Sequence, residues 1–399
     1  MANGSLQKVI INERAAARLR GGHVWVYASD VVNDAGVQAG SLVHVMGPKN
    51  KVLGTAIYSS SSQIRLRLLG RELLSLEDEL LHSLRRRMAE AFEYRKRVVD
   101  DSDAYRLVFS EADRLPGLII DRYNDVYSFQ VLTQAWNQPE RKQAIVAAIQ
   151  EEGGAEHIVE RVDQRIRELE QLPATESGLV HGTQSSTVFT MNAVKFHYDA
   201  LAGQKTGAFL DQRENYQVAE KYARGDALDI CTYQGGFALH LARKCQRVTA
   251  LDISREMLEI AEQNEKLNAA ANRQEIEWIE ANAFDLMKDY AAAGRQYDTI
   301  VLDPPAFAKS KKHLSSAMRG YKELNLRAIK MLRPGGVLLT CTCSSAVSEE
   351  DFGAMLTEAA QDAHRPLKLA EKHTQAKDHP ILLGVPETYY LKCFVLIAA

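Results

Sequence analysis

Apolar residues in the first 70 positions occur in short runs separated by Gly, Pro and Ser, a pattern typical of β-strands. The runs Leu42–Met46, Val52–Tyr58 and 64–68 show it, and we predict a strand in each. A stretch rich in Ala and Arg before them, Glu13–Arg20, predicts a short basic helix. This part of the chain is therefore expected to be a small β-rich module.

The pattern then changes to a helical period, with apolar residues three or four positions apart from 73 to 92. Ser75 and Asp78 fit a capping box at the start of this predicted linker helix. Further along, strands are predicted at 107–109, 117–121, 127–132 and 158–161, and a helix at 144–150. These elements indicate a central α/β domain. The stretch 188–198 then predicts a hairpin that turns at Asn192 and Ala193.

After residue 213, apolar strand patterns alternate with helical patterns of ten or more residues, which is typical of a parallel sheet. Strands are predicted at 227–231, 248–252, Ile276–Glu280, 299–303 and 337–341, with amphipathic helices at 256–267 and 321–332. The last apolar run, 389–397, predicts a strand that adds antiparallel at an edge of the sheet.

The composition of the 399 residues, 46% hydrophobic and 25% charged, is that of a globular protein of two or three domains. The five cysteines are odd in number and form no Cys-x-x-Cys pair, which disfavours a disulfide scaffold or a zinc site and indicates a reducing compartment. No apolar signal segment or run of about 18 apolar residues is present. We expect a cytoplasmic protein with no metal and no membrane partner.

Charge is distributed unevenly along the chain, although the net charge is only −3. Residues 1–70 carry a net charge of +5, and residues 303–333 carry +6. Two basic segments on an otherwise acidic chain suggest surfaces for the phosphates of RNA. The simpler alternative is that both are solvated basic faces.

A cofactor site is predicted where the strands end, because ligands of open α/β sheets bind outside the carboxyl ends of the strands. The first strand leads from Asp229 into a turn with Gly235 and Gly236, where the backbone can approach a ligand closely. The second strand ends at Asp252, where a carboxylate can bind both ribose hydroxyls. The Gly-x-Gly-x-x-Gly fingerprint of dinucleotide sites is absent, so we predict a cofactor with a ribose but no phosphate, S-adenosylmethionine.

Asp229 is then expected to face the amino-acid or sulfonium part of the cofactor, and Asp285 to lie near the adenine. The other candidate cofactor residues of the sheet are Tyr233, Ile253, Asn282, Ala283 and Asp303. Two simpler alternatives stay open: the glycine pair only caps a strand–helix turn, and Asp252 is a surface acid.

The fourth strand ends in Asp303-Pro-Pro-Ala-Phe307, which predicts a stiff turn with an acid and an aromatic ring facing a planar base. The basic residues that follow this turn are candidates for contacts with RNA phosphates: Lys309, Lys311, Lys312 and Arg319. Phe307 is the candidate for stacking on the base.

The next strand carries Cys341 and Cys343, which point to the same side of a strand. Carbon 5 of cytosine accepts a methyl group only after activation, and addition of a thiolate to carbon 6 provides it. An acid that protonates ring nitrogen 3 assists this addition. Cys343 with Asp303 supplies both roles, whereas a cysteine in a strand is more often a buried apolar residue.

These motifs, in this order, resemble the bacterial 23S rRNA cytosine-C5 methyltransferases, which join an N-terminal PUA domain to a class I methyltransferase domain. The resemblance covers essentially the whole chain. The similar segments are 22–27, 62–65, 106–118, 121–123, 205–213 and Thr342-Cys343-Ser344. It implies a Rossmann-like, mostly parallel sheet in the C-terminal domain, after a β-rich PUA domain and a central α/β domain.

The resemblance also implies roles for single residues. It assigns the nucleophile to Cys343 and not to Cys341, and it adds Lys205, Phe209 and Arg213 as cofactor residues. Trp25 and Arg65 of the PUA part become candidates for binding 23S rRNA. Two departures stand out: Gln234 replaces the frequent Thr before the glycine pair, and Ala306 and Phe307 offer no second cysteine.

The expected domains are a PUA-like domain at 1–72, a central domain at 73–183, a hairpin and cofactor-covering segment at 184–212, and a methyltransferase domain at 213–399. The sequence leaves a homodimer open. Two other functions compete: an exocyclic-amine methyltransferase, which needs no thiol, and a non-catalytic RNA-binding factor for ribosome assembly.

Overall fold

The chain forms two compact units in the computed structural model, which describes residues 6–74, 76–202, 208–271, 275–307 and 314–399. The N-terminal unit consists of Met1–Phe189, Tyr198–Gly207 and Lys377–Thr388. The C-terminal unit consists of Thr190–His197, Ala208–Ala376 and Tyr389–Ala399. The domain limits at residues 72, 183 and 212 stay a prediction.

A six-stranded sheet begins the N-terminal unit. Its strands are β1 Gln7–Ile11, β2 Trp25–Tyr27, β3 Val31–Asn33, β4 Leu42–Met46, β5 Val52–Tyr58 and β6 Ile64–Gly70, in the order β2-β6-β5-β4-β1-β3. Helix α1, Glu13–Arg20, shares a core with this sheet. Asn12 caps the helix, because its side chain accepts a hydrogen bond from the Ala15 backbone N–H (2.9 Å). The basic helix and the three strands predicted here are confirmed.

The central segment of this unit is an α/β structure, as predicted. It consists of α2 Glu77–Val98, β7 Ala104–Phe109, β8 Leu118–Tyr123, β9 Val126–Val131, α3 Pro139–Gly153, β10 His157–Glu160, α4 Gln164–Leu169 and β11 Gly178–His181. The sheet has the order β11-β10-β9-β8-β7, and apolar residues of α2 and α3 share one core with β7, β8 and β9.

The start of α2 differs from the prediction. The helix begins at Glu77. Glu79 accepts a hydrogen bond from the Leu76 backbone N–H (3.4 Å), whereas the prediction assigned this capping role to Asp78. Ser75 lies outside the described residues. The prediction placed the helix start too early because the first two apolar residues of the helical period, at 73 and 76, are exposed. The first residue of this period that is buried in the core is Leu80.

The predicted hairpin is confirmed, with strands β12 Ser186–Met191 and β13 Val194–Asp199. Asn192 and Ala193 both have left-handed backbone conformations, with φ of 54° and 61°. Two consecutive residues with positive φ are the geometry of the tight two-residue turns that suit the twist of a hairpin.

The C-terminal unit contains the predicted parallel sheet. Its strands are β14 Asp226–Ile230, β15 Arg247–Asp252, β16 Ile276–Glu280, β17 Tyr297–Leu302, β18 Leu332–Thr342, β19 Leu367–His373 and β20 Lys392–Ala398, in the order β16-β15-β14-β17-β18-β20-β19. The helices are α5 Arg213–Tyr222, α6 Gly236–Ala242, α7 Arg255–Leu267, α8 Ala283–Ala292, α9 Leu314–Lys330 and α10 Glu349–Asp362. The five strands from β16 to β18 in this order are parallel to one another.

The last strand, β20, runs antiparallel to β18 as predicted, but it does not form the edge of the sheet. Strand β19 pairs with its other side and occupies the edge. Sequence reasoning missed β19 because four of its seven side chains are polar or charged and all are at least partly exposed, as is common in an edge strand, and they show no clear apolar alternation.

The carboxyl ends of β14, β15, β17 and β18 meet at one edge of this sheet. The chain runs from β14 to β15 and β16 on one side and then returns to β17 on the other side, so the strand order switches beside β14. A ligand is expected at this point. Within the described part of the chain, no helix has both the length and the apolar character needed to span a membrane.

Candidate active site

The loop between β14 and α6 has an unusual backbone. Cys231, Tyr233 and Gly235 all adopt positive φ, and the value for Gly235 is 83°. A Cβ atom on Gly235 would lie 2.8 Å from the Trp278 ring, and one on Gly236 would overlap the Tyr216 ring. Both glycines are therefore required by the local packing, and the loop passes close to the edge of the sheet where β14 ends.

Asp229, on β14, stabilises this loop through a hydrogen bond. Its side chain is fully buried, and its Oδ2 accepts a hydrogen bond from the Thr232 hydroxyl (2.5 Å). Burial raises the pKa of Asp229 to about 7, although hydrogen bonds from Thr232 and the Ala238 backbone oppose the shift. Asp229 is fully buried, and its hydrogen bonds come from Thr232 of the loop and from the Ala238 backbone of α6, so its predicted contact with the cofactor stays a prediction.

Asp252, at the end of β15, lies beside the same loop. Its two carboxylate oxygens accept hydrogen bonds from the backbone N–H groups of Tyr233 (2.9 Å) and Ser254 (3.0 Å). The next residue, Ile253, is an apolar side chain that is 69% exposed. The structure thus places a carboxylate beside an exposed apolar side chain, an arrangement that suits the predicted contact of Asp252 with a ribose.

The other candidate cofactor residues fall on neighbouring elements. Asn282 caps α8, because its side chain accepts from the Phe284 backbone N–H (2.9 Å), and Ala283 and an exposed Asp285 follow in the first turn. The Phe209 ring is 44% exposed and lies 4.7 Å from the Tyr233 ring.

Arg213 and Lys205 are the remaining cofactor candidates of the segment 205–213. Arg213 is only 2% exposed and its guanidinium lies 3.4 Å from a carboxylate oxygen of Glu214. Lys205 lies outside the described residues. The cofactor roles of both stay a prediction.

Asp303 follows β17 directly and accepts a hydrogen bond at Oδ2 from the Gln212 side-chain amide (2.9 Å). Burial of the carboxyl group and the nearby charges of Asp211 and Asp229 raise the pKa of Asp303 to about 8. At pH 7 the neutral acid therefore predominates, and Asp303 can donate a proton or a hydrogen bond.

Cys343 lies just beyond the end of β18, next to the turn that contains Asp303. A hydrogen bond from the Ala306 backbone reaches its sulfur and lowers its pKa, but burial and the charges of Asp303 and Asp211 raise the pKa of Cys343 to about 12. The structure thus brings the predicted nucleophile and the predicted acid together. Cys341 is fully buried and lies opposite Cys393 in the backbone pairing of β18 with β20.

Phe307 packs against α9 and α8, with its ring 4.7 Å from that of Tyr321 and 6.0 Å from that of Phe284. Its backbone N–H donates to the Tyr321 hydroxyl (3.3 Å), which also contacts the Ser344 hydroxyl (3.0 Å). Tyr321 therefore links the two loops that carry Asp303 and Cys343.

The candidate RNA residues are only partly described. Arg319 is exposed on α9, whereas Lys309, Lys311 and Lys312 lie outside the described residues. Trp25 and Arg65 belong to the N-terminal unit. There the Trp25 indole N–H donates to Glu111 (2.8 Å), and Arg65 donates to the Ser59 carbonyl (2.9 Å), so both side chains make contacts within their own unit.

Sequence reasoning missed three polar residues of this site: Gln212, Asn215 and Tyr321. Gln212 lies inside the segment 205–213, one of the segments that resemble the family, and that was the available signal. The other two sit on helices with an ordinary amphipathic pattern. Their contribution depends on contacts between elements far apart in the sequence, which no local pattern contains.

Comparison with known proteins supports the interpretation of both halves of the chain. A family model for a PUA-like domain matches residues 9–71, and a model for an S-adenosylmethionine-dependent methyltransferase matches residues 133–386. Among solved structures, SMU.776, a methyltransferase complexed with SAH, has a TM-score of 0.84 at 19% identity and covers 98% of this chain and 100% of its own. This similarity confirms the class I methyltransferase fold.

Curated relatives match over nearly the full length. A protein of Vibrio parahaemolyticus named ribosomal RNA large subunit methyltransferase I is 37% identical over 382 residues, covering 93% of this chain and 94% of the relative. A protein of the same name from Yersinia pseudotuberculosis is 34% identical over 381 residues, with the same coverage. The chain therefore belongs to the S-adenosylmethionine-dependent methyltransferases, and within them to the family of these relatives.

The residues present suit S-adenosylmethionine as the cofactor of this family. Each oxygen of Asp252 accepts one backbone hydrogen bond and keeps capacity for a ribose hydroxyl. Ile253 offers an exposed apolar surface for the adenine, and Phe209 with Tyr233 offers an aromatic one. When bound, the cofactor supplies an electrophilic methyl group.

Replacing Asp252 with alanine is expected to weaken binding of S-adenosylhomocysteine at least about 10-fold, because two hydrogen bonds from ribose hydroxyls to a carboxylate are lost. Isothermal titration calorimetry measures this directly. Asp289→Ala, which removes an exposed carboxylate from α8, is the matched control and should bind as the wild type does. Unchanged affinity of Asp252→Ala would show that Asp252 does not bind the ribose.

Proposed function

We propose that this protein methylates carbon 5 of a cytosine in 23S rRNA, in the cytoplasm, through a covalent adduct between Cys343 and carbon 6 of the base. The observation that carries the proposal is the position of the Cys343 sulfur, which is hydrogen-bonded by the Ala306 backbone in the turn that begins with Asp303. The names of the curated relatives and the PUA-like domain support rRNA as the substrate.

In the first step, Cys343 loses its proton to solvent, its thiolate forms a bond to carbon 6, and the neutral Asp303 transfers its proton to ring nitrogen 3. The electron pair of the 5,6 double bond then forms a double bond between carbons 4 and 5. Carbon 5 becomes nucleophilic and takes the methyl group, with S-adenosylhomocysteine as the leaving group. A base then removes the proton from carbon 5. The bond between sulfur and carbon 6 breaks, and the Asp303 carboxylate recovers its proton from nitrogen 3.

The protonation states of the two residues are coupled in this scheme. The negative charge of Asp303 is one of the causes that raise the pKa of Cys343. A neutral Asp303 removes that repulsion, so the thiolate forms more easily when the acid carries its proton. The raised pKa of Asp303, about 8, thus serves both the protonation of the base and the activation of the thiol.

A basic groove between α8 and α9 supports an RNA substrate. It is lined by five cations: Lys288, Arg319, Lys322, Arg327 and Lys330. Lys322 is held by Glu358 and Asp362, and Arg327 by Glu323, at distances of 2.7 to 3.1 Å. The other three form no ion pair with any residue that the structure describes, so they are the ones we expect to contact phosphates.

Replacing Arg319 with alanine is expected to weaken RNA binding several-fold and to reduce the slope of log affinity against log salt concentration by about one, because one phosphate contact is lost. Fluorescence anisotropy with a 23S rRNA fragment at several salt concentrations measures both quantities. Arg327→Ala in the same groove, where Glu323 already neutralises the charge, is the control and should change the slope less. Equal slopes for Arg319→Ala and the wild type would exclude Arg319 from the interface.

The proposed reaction is tested by incubating the protein with labelled S-adenosylmethionine and unmodified 23S rRNA, followed by nucleoside analysis. We expect 5-methylcytidine as the labelled product. A methylated guanosine or adenosine would instead favour an exocyclic-amine methyltransferase, since such enzymes use related Asp-Pro-Pro-aromatic turns. Absence of S-adenosylhomocysteine binding in calorimetry would favour the non-catalytic assembly factor.

A further inference from the structure

Gln212 is hydrogen-bonded to Asp303 but has no role in the mechanism proposed above. Gln212 immediately precedes α5, and its side chain is only 3% exposed. Its Nε2 group donates to Oδ2 of Asp303 (2.9 Å) and also hydrogen-bonds the sulfur of the buried Cys341. Its Oε1 accepts from the Asn215 side-chain amide (2.6 Å). The side chain is thus hydrogen-bonded at both ends.

These contacts determine which way the amide points. Asn215 also donates from Nδ2 to the backbone carbonyl of Thr374 (3.2 Å), a group that can only accept. Asn215 must therefore direct its NH₂ group toward both Thr374 and Gln212. Gln212 must then direct its oxygen toward Asn215, and only its NH₂ group is left to face Asp303. The backbone carbonyl of Thr374 thus sets the direction of every hydrogen bond in this relay.

We infer that Gln212 is a positioning residue that keeps Oδ2 of Asp303 as a hydrogen-bond acceptor and so places the carboxylic proton on Oδ1. The inference rests on the proposed function. A neutral carboxylic acid has one O–H group, and the oxygen that faces an N–H donor is the one without the proton. Oδ1 is then the oxygen that donates to the base.

A fixed donor at Oδ1 selects between the two pyrimidines. Ring nitrogen 3 of cytosine is an acceptor, whereas in uracil it carries a hydrogen and is a donor. The relay from Thr374 to Asp303 therefore favours cytosine and places two donors against each other when uracil enters. Rejection of a base that leaves polar groups unpaired is stronger than rejection by size alone. Gln212 is in this way a determinant of specificity, although it does not touch the substrate.

The test compares Gln212→Glu with the wild type and with Gln217→Glu, the same substitution at an exposed position of α5. Two transcripts serve as substrates: one has cytosine at the methylated position, and the other has uridine there. In Gln212→Glu we expect kcat for cytosine to fall about 10- to 100-fold, because a buried hydrogen bond to the acid is lost. The ratio of cytosine to uridine methylation should fall at least about 10-fold, and the KM for S-adenosylmethionine should stay within about 3-fold.

The pH profile gives a second readout that a purely structural role would not change. Gln212 stabilises the ionised form of Asp303, so its replacement should move the alkaline limb of the activity to higher pH. If Gln212→Glu does not fold, as judged by thermal unfolding, Gln212→Met keeps the volume, removes the donor and makes the same test. Gln217→Glu should match the wild type in all these measurements.

The inference is overturned if both Gln212 variants fold and keep the wild-type selectivity and alkaline limb. In that case the wild type still forms 5-methylcytidine, and the proposed function stands without this role for Gln212. If the wild type itself forms no 5-methylcytidine, the proposed function fails, and the inference fails with it.

Discussion

Replacing Cys343 with alanine is expected to abolish formation of 5-methylcytidine, with a loss of about 10⁴-fold or more, because the sulfur that forms the bond to carbon 6 is removed. Cys343 lies next to the turn of Asp303, and within the described chain its sulfur is the one that the Ala306 backbone hydrogen-bonds. The measurement is the initial rate of methyl transfer to 23S rRNA, followed by nucleoside analysis.

The matched control is Cys341→Ala, two positions away. Cys341 is fully buried and lies opposite Cys393 of β20, so its replacement should cost about 1 kcal/mol of stability and leave the rate within a few-fold of wild type. Both variants should bind S-adenosylhomocysteine as the wild type does. A Cys343→Ala protein that still produced 5-methylcytidine would remove the thiol from the mechanism.

The second large effect is expected for Asp303→Asn. The pKa of Asp303 is raised to about 8, so the neutral acid is the predominant form below this pH and is lost as the pH rises through it. The thiolate fraction of Cys343 rises with pH, so the wild-type rate should fall below that rise on the alkaline side, with a midpoint near pH 8. Asparagine has no proton to transfer at any pH. The variant should be slower by about 10²- to 10⁴-fold, and its profile should lack this alkaline limb.

Measuring kcat/KM from pH 6 to pH 10 for both proteins tests this prediction. The ionised Asp303 also raises the pKa of Cys343, so the substitution should lower the pH at which Cys343 reacts with iodoacetamide. Mass spectrometry of the alkylated peptide identifies Cys343 among the five cysteines. A wild-type rate in Asp303→Asn, or an alkaline limb that persists, would contradict the assigned role of Asp303.

The sequence predicted the elements that local patterns describe. The alternation of strands and helices after residue 213 led to the parallel sheet, and Asn192-Ala193 led to a tight turn, because both patterns act over a few residues. The same reasoning placed Asp252, Asp303 and Cys343 at strand ends on one edge of the sheet. Once the strands are parallel, that proximity follows from the topology.

Features that depend on distant contacts were not predictable in this way. Strand β19 has no apolar alternation and is recognisable only by its pairing with β20. The contact of Trp25 with Glu111 joins residues 86 positions apart, and the pair of Gln212 with Asp303 joins residues 91 positions apart. Trp25 and Gln212 thus each have a specific partner that the local sequence does not indicate.

The raised pKa of Asp303 has the same origin. Asp211 and Asp229 face it from two other elements, and burial removes the carboxyl group from water. The sequence indicates an acid at this position, but its protonation state arises from the assembled site. The chemistry assigned to the residue therefore needed the structure, whereas its location did not.

The most direct test of the central claim is to trap the adduct. A 23S rRNA transcript made with 5-fluorocytidine has no proton to release from carbon 5, so after methyl transfer the bond between sulfur and carbon 6 cannot break. Incubation with the protein and S-adenosylmethionine should give a complex that survives denaturation, and peptide mapping should locate the nucleotide on Cys343. Absence of such a complex, or its attachment to a residue other than Cys343, would contradict the account.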